Sequence, residues 1–489
     1  MWVPEAQDPA RRNWYGKIHA MASDEARWLS LERRAGETLR AALERTLREA
    51  IVSRALRAGV RLPASRALAQ QLGVSRRVVS DAYGQLAAQG FLLNREREAP
   101  VVASVRVRNM PQVEPEPQVP PPRYDLSPTR PDVSLFPLTR WLAASQRVAR
   151  RGGSAILDYR ESRGERALRE VLADHLGRTR GVIADPDEIV IVQGTAQSVD
   201  LLMRTLRGRG ASRIGVEDPS QTTARERILA TGLEVIAQPV DDKGMTVGGL
   251  DADAVLVTPA HQFPTGCVLS EDRRRQLIAW ACAHRGLIIE DDYDAEFRYD
   301  REPVRALQGV APEHVVQIGT VSKTLAPALR LGWLVVPAHL VGEVERTKRL
   351  LDHFSPALDQ LTLAEFLTHG DYDRHVRRAR AVYRARRDRL IAALARHLPG
   401  LEIEGVAAGL HLLLRLPPGV DDSAIARDAR SAGINVSALS AFRIKPASSG
   451  GLVLGYGRLA ESAIEAAVQE LARTARARLS SAARARSTI

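Results

Sequence analysis

The segment Asn109–Pro128, NMPQVEPEPQVPPPRYDLSP, limits what this chain can fold into, because seven of its twenty residues are proline. Proline fixes φ and removes a backbone donor, so such a stretch builds neither helix nor central strand and behaves as a stiff, extended spacer. It separates a short N-terminal part from a long C-terminal one. Size agrees: the chain has 489 residues, whereas a single core rarely grows past roughly 250–300 residues. The expected organisation is an extension over 1–30, a first domain over 31–104, the spacer over 105–125, a large domain over 126–475 and a basic tail over 476–489.

Composition narrows the class. The 45% hydrophobic and 26% charged residues are an ordinary globular balance. No window approaches the ~18 apolar residues of a membrane span. The opening MWVPEAQDPARRNWYGKIHA lacks the apolar centre of a secretory signal. Two cysteines, Cys267 and Cys282, make no disulfide framework. A cytoplasmic protein without a membrane partner is expected. Of the net +12, a net +8 lies between Arg33 and Arg97, where 13 arginines face five acids. Such uneven basicity points to a polyanion, nucleic acid first, although an arginine-rich surface also serves solubility.

Within that basic region, RLPASRALAQQLGVSRRVVSDAYGQLAAQGFLL (Arg61–Leu93) reads as two helices across a tight break. Ser65 is the expected N-cap of the first, whose apolar face is Leu68, Ala69 and Leu72. Gly73 suits the turn, and Ser75 is the expected cap of the second. There Val78, Val79, Ala82, Tyr83 and Leu86 make the buried stripe. Arg76, Arg77, Ser80 and Gly84 take the opposite side, where a recognition helix meets a major groove. The segment resembles the GntR-type winged helix-turn-helix domain, an α+β fold. That resemblance implies Ser65, Arg66, Ser75, Arg76 and Arg77 as contacts to double-stranded DNA. The expected wing, NREREAPVV (Asn94–Val102), departs from the family in having no glycine at its tip.

After the spacer, EIVIVQG, RIGVEDP, AVLVTPAHQ, GLIIEDDY, HVVQIGTVSK and RLGWLVVP alternate with amphipathic stretches. Strands spaced by helices mean βαβ units and a mostly parallel sheet. The segments from GLEIEGVAAGLHLLLRLPP onward read as a smaller α+β unit. In GTVSKTLAPALRLGW (Gly319–Trp333), Lys323 leaves a strand end beside Thr320 and Ser322, with Arg330 following. A lysine so placed suits a Schiff base to an aldehyde, with hydroxyls and a guanidinium to hold a phosphate. In GLIIEDDYDAEF, Asp291 ends a buried strand where open α/β sheets bind ligands, and Tyr293 faces the same way. A carboxylate there keeps a pyridine nitrogen protonated; a metal or a solvated acidic turn is the other reading of the string, although no histidine or second acid cluster completes a metal site. Gly194, Thr195 and Ala196 open a helix whose free amides make a phosphate cradle. In TPAHQFPTG, His261 or Gln262 is placed to touch a ring oxygen, or His261 is structural.

Together these strings match the fold-type I aminotransferase-like architecture. With the N-terminal domain, the chain from Leu31 to Arg473 resembles the MocR family of pyridoxal-phosphate-binding transcriptional regulators, carried also by SLFP, RALREVLADHLGRTRGV, VEDP, EDDYDAEFRY and LGYGRL. The resemblance implies pyridoxal 5′-phosphate as cofactor, Lys323 as its Schiff-base lysine, Asp291 as the pyridine partner and Tyr293 on the phenolic oxygen. It also implies Thr195, Thr320, Ser322 and Arg330 on the phosphate, and Tyr159 reaching the other subunit's cofactor in a homodimer. Arg458 is the implied anchor for an effector carboxylate. The effector would be an amino-group-bearing small molecule or the cofactor itself. No metal is expected. After VEDP the family has Gly-Tyr, whose aromatic stacks on the ring; here Ser220 and Gln221 stand instead. A regulator using this domain as a sensor is the expected function, an active aminotransferase with a fused DNA-binding module the alternative.

Overall fold

The structure, a computed structural model, describes residues 31–93, 98–104, 121–299, 304–447 and 449–487. The expected extension, the wing tip at 94–97 and most of the spacer lie outside the described residues. The chain divides into two compact units, Met1–Val119 and Pro120–Ile489.

In the first unit, helices α1 (Leu39–Val52), α2 (Ser65–Leu72) and α3 (Arg76–Ala88) are followed by the short antiparallel pair β1 (Leu92–Leu93) and β2 (Val101–Val102). Leu43, Leu47 and Ile51 of α1 meet Leu68 of α2 and Val79, Ala82 and Leu86 of α3 in one core, which β1 and β2 close with Leu92 and Val102. Gly73 ends α2 at φ +64°, a left-handed conformation that glycine adopts without penalty. Ser75 then caps α3, its side chain accepting from the Val78 amide at 3.4 Å. The cap expected of Ser65 is not formed: Ala64 holds that position and Ser65 is the first helical residue, one step too late to bond the free amides.

The second unit opens with the short strand β3 (Tyr124–Asp125) and is built on an eight-stranded sheet. Its strands are β4 (Ile189–Val192), β5 (Arg213–Asp218), β6 (Glu234–Asp241), β7 (Gly244–Met245), β8 (Ala254–Val257), β9 (Leu287–Asp292), β10 (Val315–Thr320) and β11 (Gly332–Val335), in the order β4-β11-β10-β9-β8-β5-β6-β7. β10, β9, β8, β5 and β6 run parallel; β11 is antiparallel to both its neighbours. The apolar runs are continuous because both faces are covered. Val190, Val192, Val316 and Ile318 face one core, and Ile189, Ile191 and Val335 face another.

The smaller sheet is antiparallel. Four strands, Ile403–Glu404, His411–Arg415, Gly451–Gly455 and Ser437–Ala438, pack with helices Asp371–His397 and Ile464–Ser487 around Tyr383, Leu412, Leu454 and Leu471. Tyr124 and Asp125, at the end of the expected spacer, pair in parallel with Ile434–Asn435 of this unit. Asp125 also bonds the Ser127 amide at 3.1 Å and Arg458 at 3.1 Å. A chain beginning at Leu126 is therefore expected to melt at a lower temperature than one beginning at Pro120. Equal midpoints by scanning calorimetry would contradict a structural role for these residues.

Candidate cofactor site and DNA interface

Strand β9 ends in three consecutive acids, and the alternation of a strand sends them to opposite faces. Glu290 accepts the Leu307 and Gln308 amides at 3.0 and 3.1 Å. Asp292 pairs with the buried Arg180 at 2.7 Å and accepts Gln317 at 3.1 Å. Asp291 faces the other way, and its buried Oδ1 has no hydrogen-bond partner. Burial, reinforced by Asp292 and opposed by Lys323, pushes its carboxyl up to about 7.

Lys323 lies in the turn just after β10. Burial depresses its ammonium, Asp294 and Asp291 oppose that, and the Arg130 charge adds to it. A depressed lysine holds more of the neutral amine that attacks a carbonyl. The other described lysines do not compete. Lys348 is buried but bonded to Asp352 at 2.8 Å and Ser355 at 3.1 Å, and Lys243 and Lys445 are exposed.

The anion cradle forms where three strands end in register. Val192 of β4 is opposite Gly332 of β11, which is opposite Thr320 of β10. Just beyond, Gly194 (φ +78°) opens helix Thr195–Gly208 with its free amides. Arg330, itself left-handed at φ +51°, bonds the Gln193 carbonyl, and a Cβ on Gly194 would stand 3.3 Å from its guanidinium. Thr320 Oγ1 donates to Ser322 Oγ at 2.9 Å. Thr195, Ala196, Thr320, Ser322 and Arg330 thus gather at one end of the sheet.

Next to this end, Tyr293 donates to the His261 carbonyl at 3.0 Å. His261 Nδ1 meets Asp294 Oδ2 at 3.0 Å, leaving a buried Nε2 without a partner. Gln262 is spent on its own turn: its amide donates to Pro219 O at 2.9 Å and accepts the Thr265 amide at 3.0 Å. Of the two residues considered for a ring oxygen, only His261 keeps a free polar atom. The expectation that no histidine completes the acidic string does not hold. The fold brings His411, 117 positions beyond Asp294, against His261 and Asp294, with ligand atoms within 4.8 Å of one another. The Gly409 backbone packs directly on the His261–Asp294 pair.

Two residues have their contacts with other side chains. Tyr159 is 87% exposed, edge-on to Phe354 with ring centroids 5.9 Å apart. Arg458 is bonded to Asp125. Gln221 is exposed at the start of helix Thr222–Ala230, so no aromatic stands there.

In the first unit, Arg66, Ser75, Arg76 and Arg77 are exposed and Ser65 is half-buried. Arg77 makes only a 3.8 Å pair with Asp81. Free amides and cations at one helix end are what a phosphate backbone meets.

A buried carboxylate lacking a partner, a depressed lysine and an anion cradle at one sheet end fit one group, pyridoxal 5′-phosphate. Asp291 would hold its ring nitrogen, Lys323 its aldehyde carbon and the Gly194–Arg330 cradle its phosphate. Bound there, it supplies an electrophilic carbon and an electron sink. The second unit is thus a fold-type I pyridoxal-phosphate domain.

Comparison with known proteins agrees. The profile described as aminotransferase class I and II matches residues 129–468, and that of bacterial regulatory proteins, gntR family, matches 39–102. The pyridoxine biosynthesis transcriptional regulator PdxR of Corynebacterium glutamicum is 32% identical over 88% of this chain and 94% of its own. The probable rhizopine catabolism regulatory protein MocR of Rhizobium meliloti is 31% identical over 88% and 92%. Among solved structures, a multiple substrate aminotransferase from Thermococcus profundus matches 74% of this chain and 93% of its own, at TM-score 0.68 and 26% identity. The chain belongs to the MocR family, in which a GntR-type DNA-binding domain precedes an aminotransferase-like domain.

Two variants test the site. Lys323→Ala is expected to abolish the visible absorption band of the cofactor-loaded protein while the fold persists; an unchanged spectrum would remove Lys323 from the site. Asp291 has a folded pKa raised above its unfolded value, so without cofactor its penalty grows as pH rises from about 4 to about 7 and is complete above that. Cofactor-free Asp291→Asn is therefore expected to be more heat-stable than wild type near pH 8, an advantage that shrinks toward pH 5, and to bind the cofactor more weakly. A pH-independent difference would contradict the buried unpaired charge.

Proposed function

We propose that the protein is a DNA-binding transcriptional regulator whose pyridoxal-phosphate domain senses an amino compound. One observation carries this reading: a single chain joins a capped helix with exposed Arg76 and Arg77 to an intact Lys323–Asp291 pair. The amine of an effector would exchange with Lys323 at the cofactor carbon while Arg458 takes its carboxylate by paired hydrogen bonds, for which arginine is suited. Only an effector that favours one of two states of the protein shifts their populations.

The active form is proposed to be a homodimer. Leu157 and Leu350 are 81% and 83% exposed, the first lying two residues before Tyr159 and the second four before Phe354, on which Tyr159 packs edge-on. Exposed apolar side chains of this kind fit a protein interface, and in a dimer Tyr159 would be covered. With DNA as its partner, the protein is proposed to work in the cytoplasm. Among the described residues no helix is long and apolar enough to cross a membrane.

Genomic fragments retained by the purified protein supply the DNA for the test. Replacing Arg76 or Arg77 by alanine is expected to cost about 1–3 kcal/mol where the side chain reads a base, with relaxed specificity at that position. Where the side chain meets a phosphate instead, the replacement weakens binding to all sequences alike and reduces the salt slope. Unchanged affinity and salt slope in the double variant would overturn the assignment of α3. Sustained turnover of an amino acid with a keto acid, together with no retained DNA, would favour the aminotransferase reading.

A further inference from the structure

Arg458 does not stand alone. Its Nη1 lies 3.1 Å from Asp125 Oδ2, and Arg130 Nη1 lies 3.5 Å from the same oxygen. The other carboxylate oxygen, Oδ1, is committed to Ser127, accepting its amide at 3.1 Å and its hydroxyl. Asp125 is thereby fixed with one oxygen turned to two guanidiniums. It is their only acidic partner among the described residues, so the group carries a net charge of about +1.

The backbone around Arg130 is also closely packed. Thr129, just before it, has φ +58°, a left-handed conformation that strains a β-branched residue. The neighbouring strand is made of close approaches: the Gly455 amide donates to Leu126 O at 2.7 Å, and a side chain at Gly457 would run into the Arg130 carbonyl. Strain kept where the surroundings enforce it is characteristic of ligand clamps. The guanidiniums remain accessible, the Arg130 and Arg458 side chains being 55% and 41% exposed. The Arg130 charge also bears on the Lys323 ammonium, so this cation belongs to the surroundings of the reactive lysine.

We infer that Arg130 is a second anion anchor beside Arg458, set by Asp125, and that the effector is an amino acid carrying a second acidic group. The inference rests on the sensor reading given above. Each guanidinium offers five donors; Arg458 spends one on Asp125, and Arg130 faces the same oxygen only as a 3.5 Å ion pair, so each has donors left for a ligand oxygen. With one carboxylate of the effector on Arg458, Arg130 is left with a 3.5 Å ion pair that a second anion improves on. Charge points the same way. An amino acid with one ammonium and two carboxylates has net −1 and balances the group, whereas a neutral zwitterion leaves it uncompensated. Asp125 is a positioning residue here: it touches no ligand and holds two cations together that would otherwise repel.

The test uses the full-length protein loaded with pyridoxal 5′-phosphate. Its visible spectrum and its heat of binding are followed during titration with L-aspartate, L-glutamate and L-2-aminoadipate, each compared with its side-chain amide. At least one acid is expected to act at a concentration about tenfold or more below its amide. In Arg130→Ala that ratio is expected to fall toward one, and in Arg130→Lys, which keeps the charge but loses the paired donors, to lie between. If no acid is preferred over its amide, or if the ratio survives Arg130→Ala, the second anchor is overturned while the sensor reading stands. If neither acids nor amides, nor simple amines such as n-butylamine, perturb a protein that shows the cofactor band, the sensor reading itself fails and takes this inference with it. A variant that does not fold is recognised by loss of the band, and Arg130→Gln, similar in length and uncharged, then replaces it with the same expected ratio.

Discussion

A carboxylate with an unpartnered buried oxygen at the end of a buried strand is the constraint around which the second unit is arranged. Burying a charge without a partner is costly, and such a group responds by holding its proton. Asp291 does so, with its carboxyl pushed to about 7. Its neighbours have their own partners: backbone amides for Glu290 and Arg180 for Asp292. Those bonds keep the strand end rigid, so that Asp291 faces the site as a fixed acceptor. A positively charged ring nitrogen would satisfy it, and Lys323 and the Gly194–Arg330 cradle would grip the rest of the same molecule. The cofactor would thus complete the electrostatics of the site.

The first unit obeys simpler physics. Its core of Leu43, Leu47, Val79 and Leu86 fixes α3 on one side, and the cap at Ser75 leaves the arginine-bearing side for a polyanion. A regulator needs the two units to communicate, and only differential affinity of the effector for two states can supply that. The group of Arg130, Arg458 and Asp125 lies wholly within the second unit and is suited to one part of that task, the effector-dependent change of state there. It joins the segment before the large sheet to a residue following the last strand of the small sheet, so an anion held there touches both.

Much of this was legible in the sequence because it depends on local pattern. β-branched runs marked β4, β5, β8, β9, β10 and β11, and the strand ends then pointed to Asp291, Lys323 and Thr195. The helix-turn-helix followed from apolar spacing and Gly73. Ser65 was misread because a serine before an apolar run resembles a cap; the turn starts one residue earlier than that rule assumes. The features that escaped depend on residues far apart in the chain. His411 meets Asp294 only because strand His411–Arg415 of the small sheet is brought to the end of β9. Gln262 looked available until the turn closed on its amide. Asp125 read as spacer, yet it holds Arg130 and Arg458; a single aspartate next to prolines has no periodicity to betray it. The lone local hint was Thr129-Arg130, a pair that pattern reading passes over.

The central claim, that the cofactor domain governs DNA binding, is tested most directly by measuring affinity for the retained DNA at one fixed salt concentration, with and without pyridoxal 5′-phosphate, in wild type and Lys323→Ala. The account predicts an affinity or footprint that changes when wild-type protein is loaded and a variant in which loading changes neither. DNA binding identical in all four cases would contradict it.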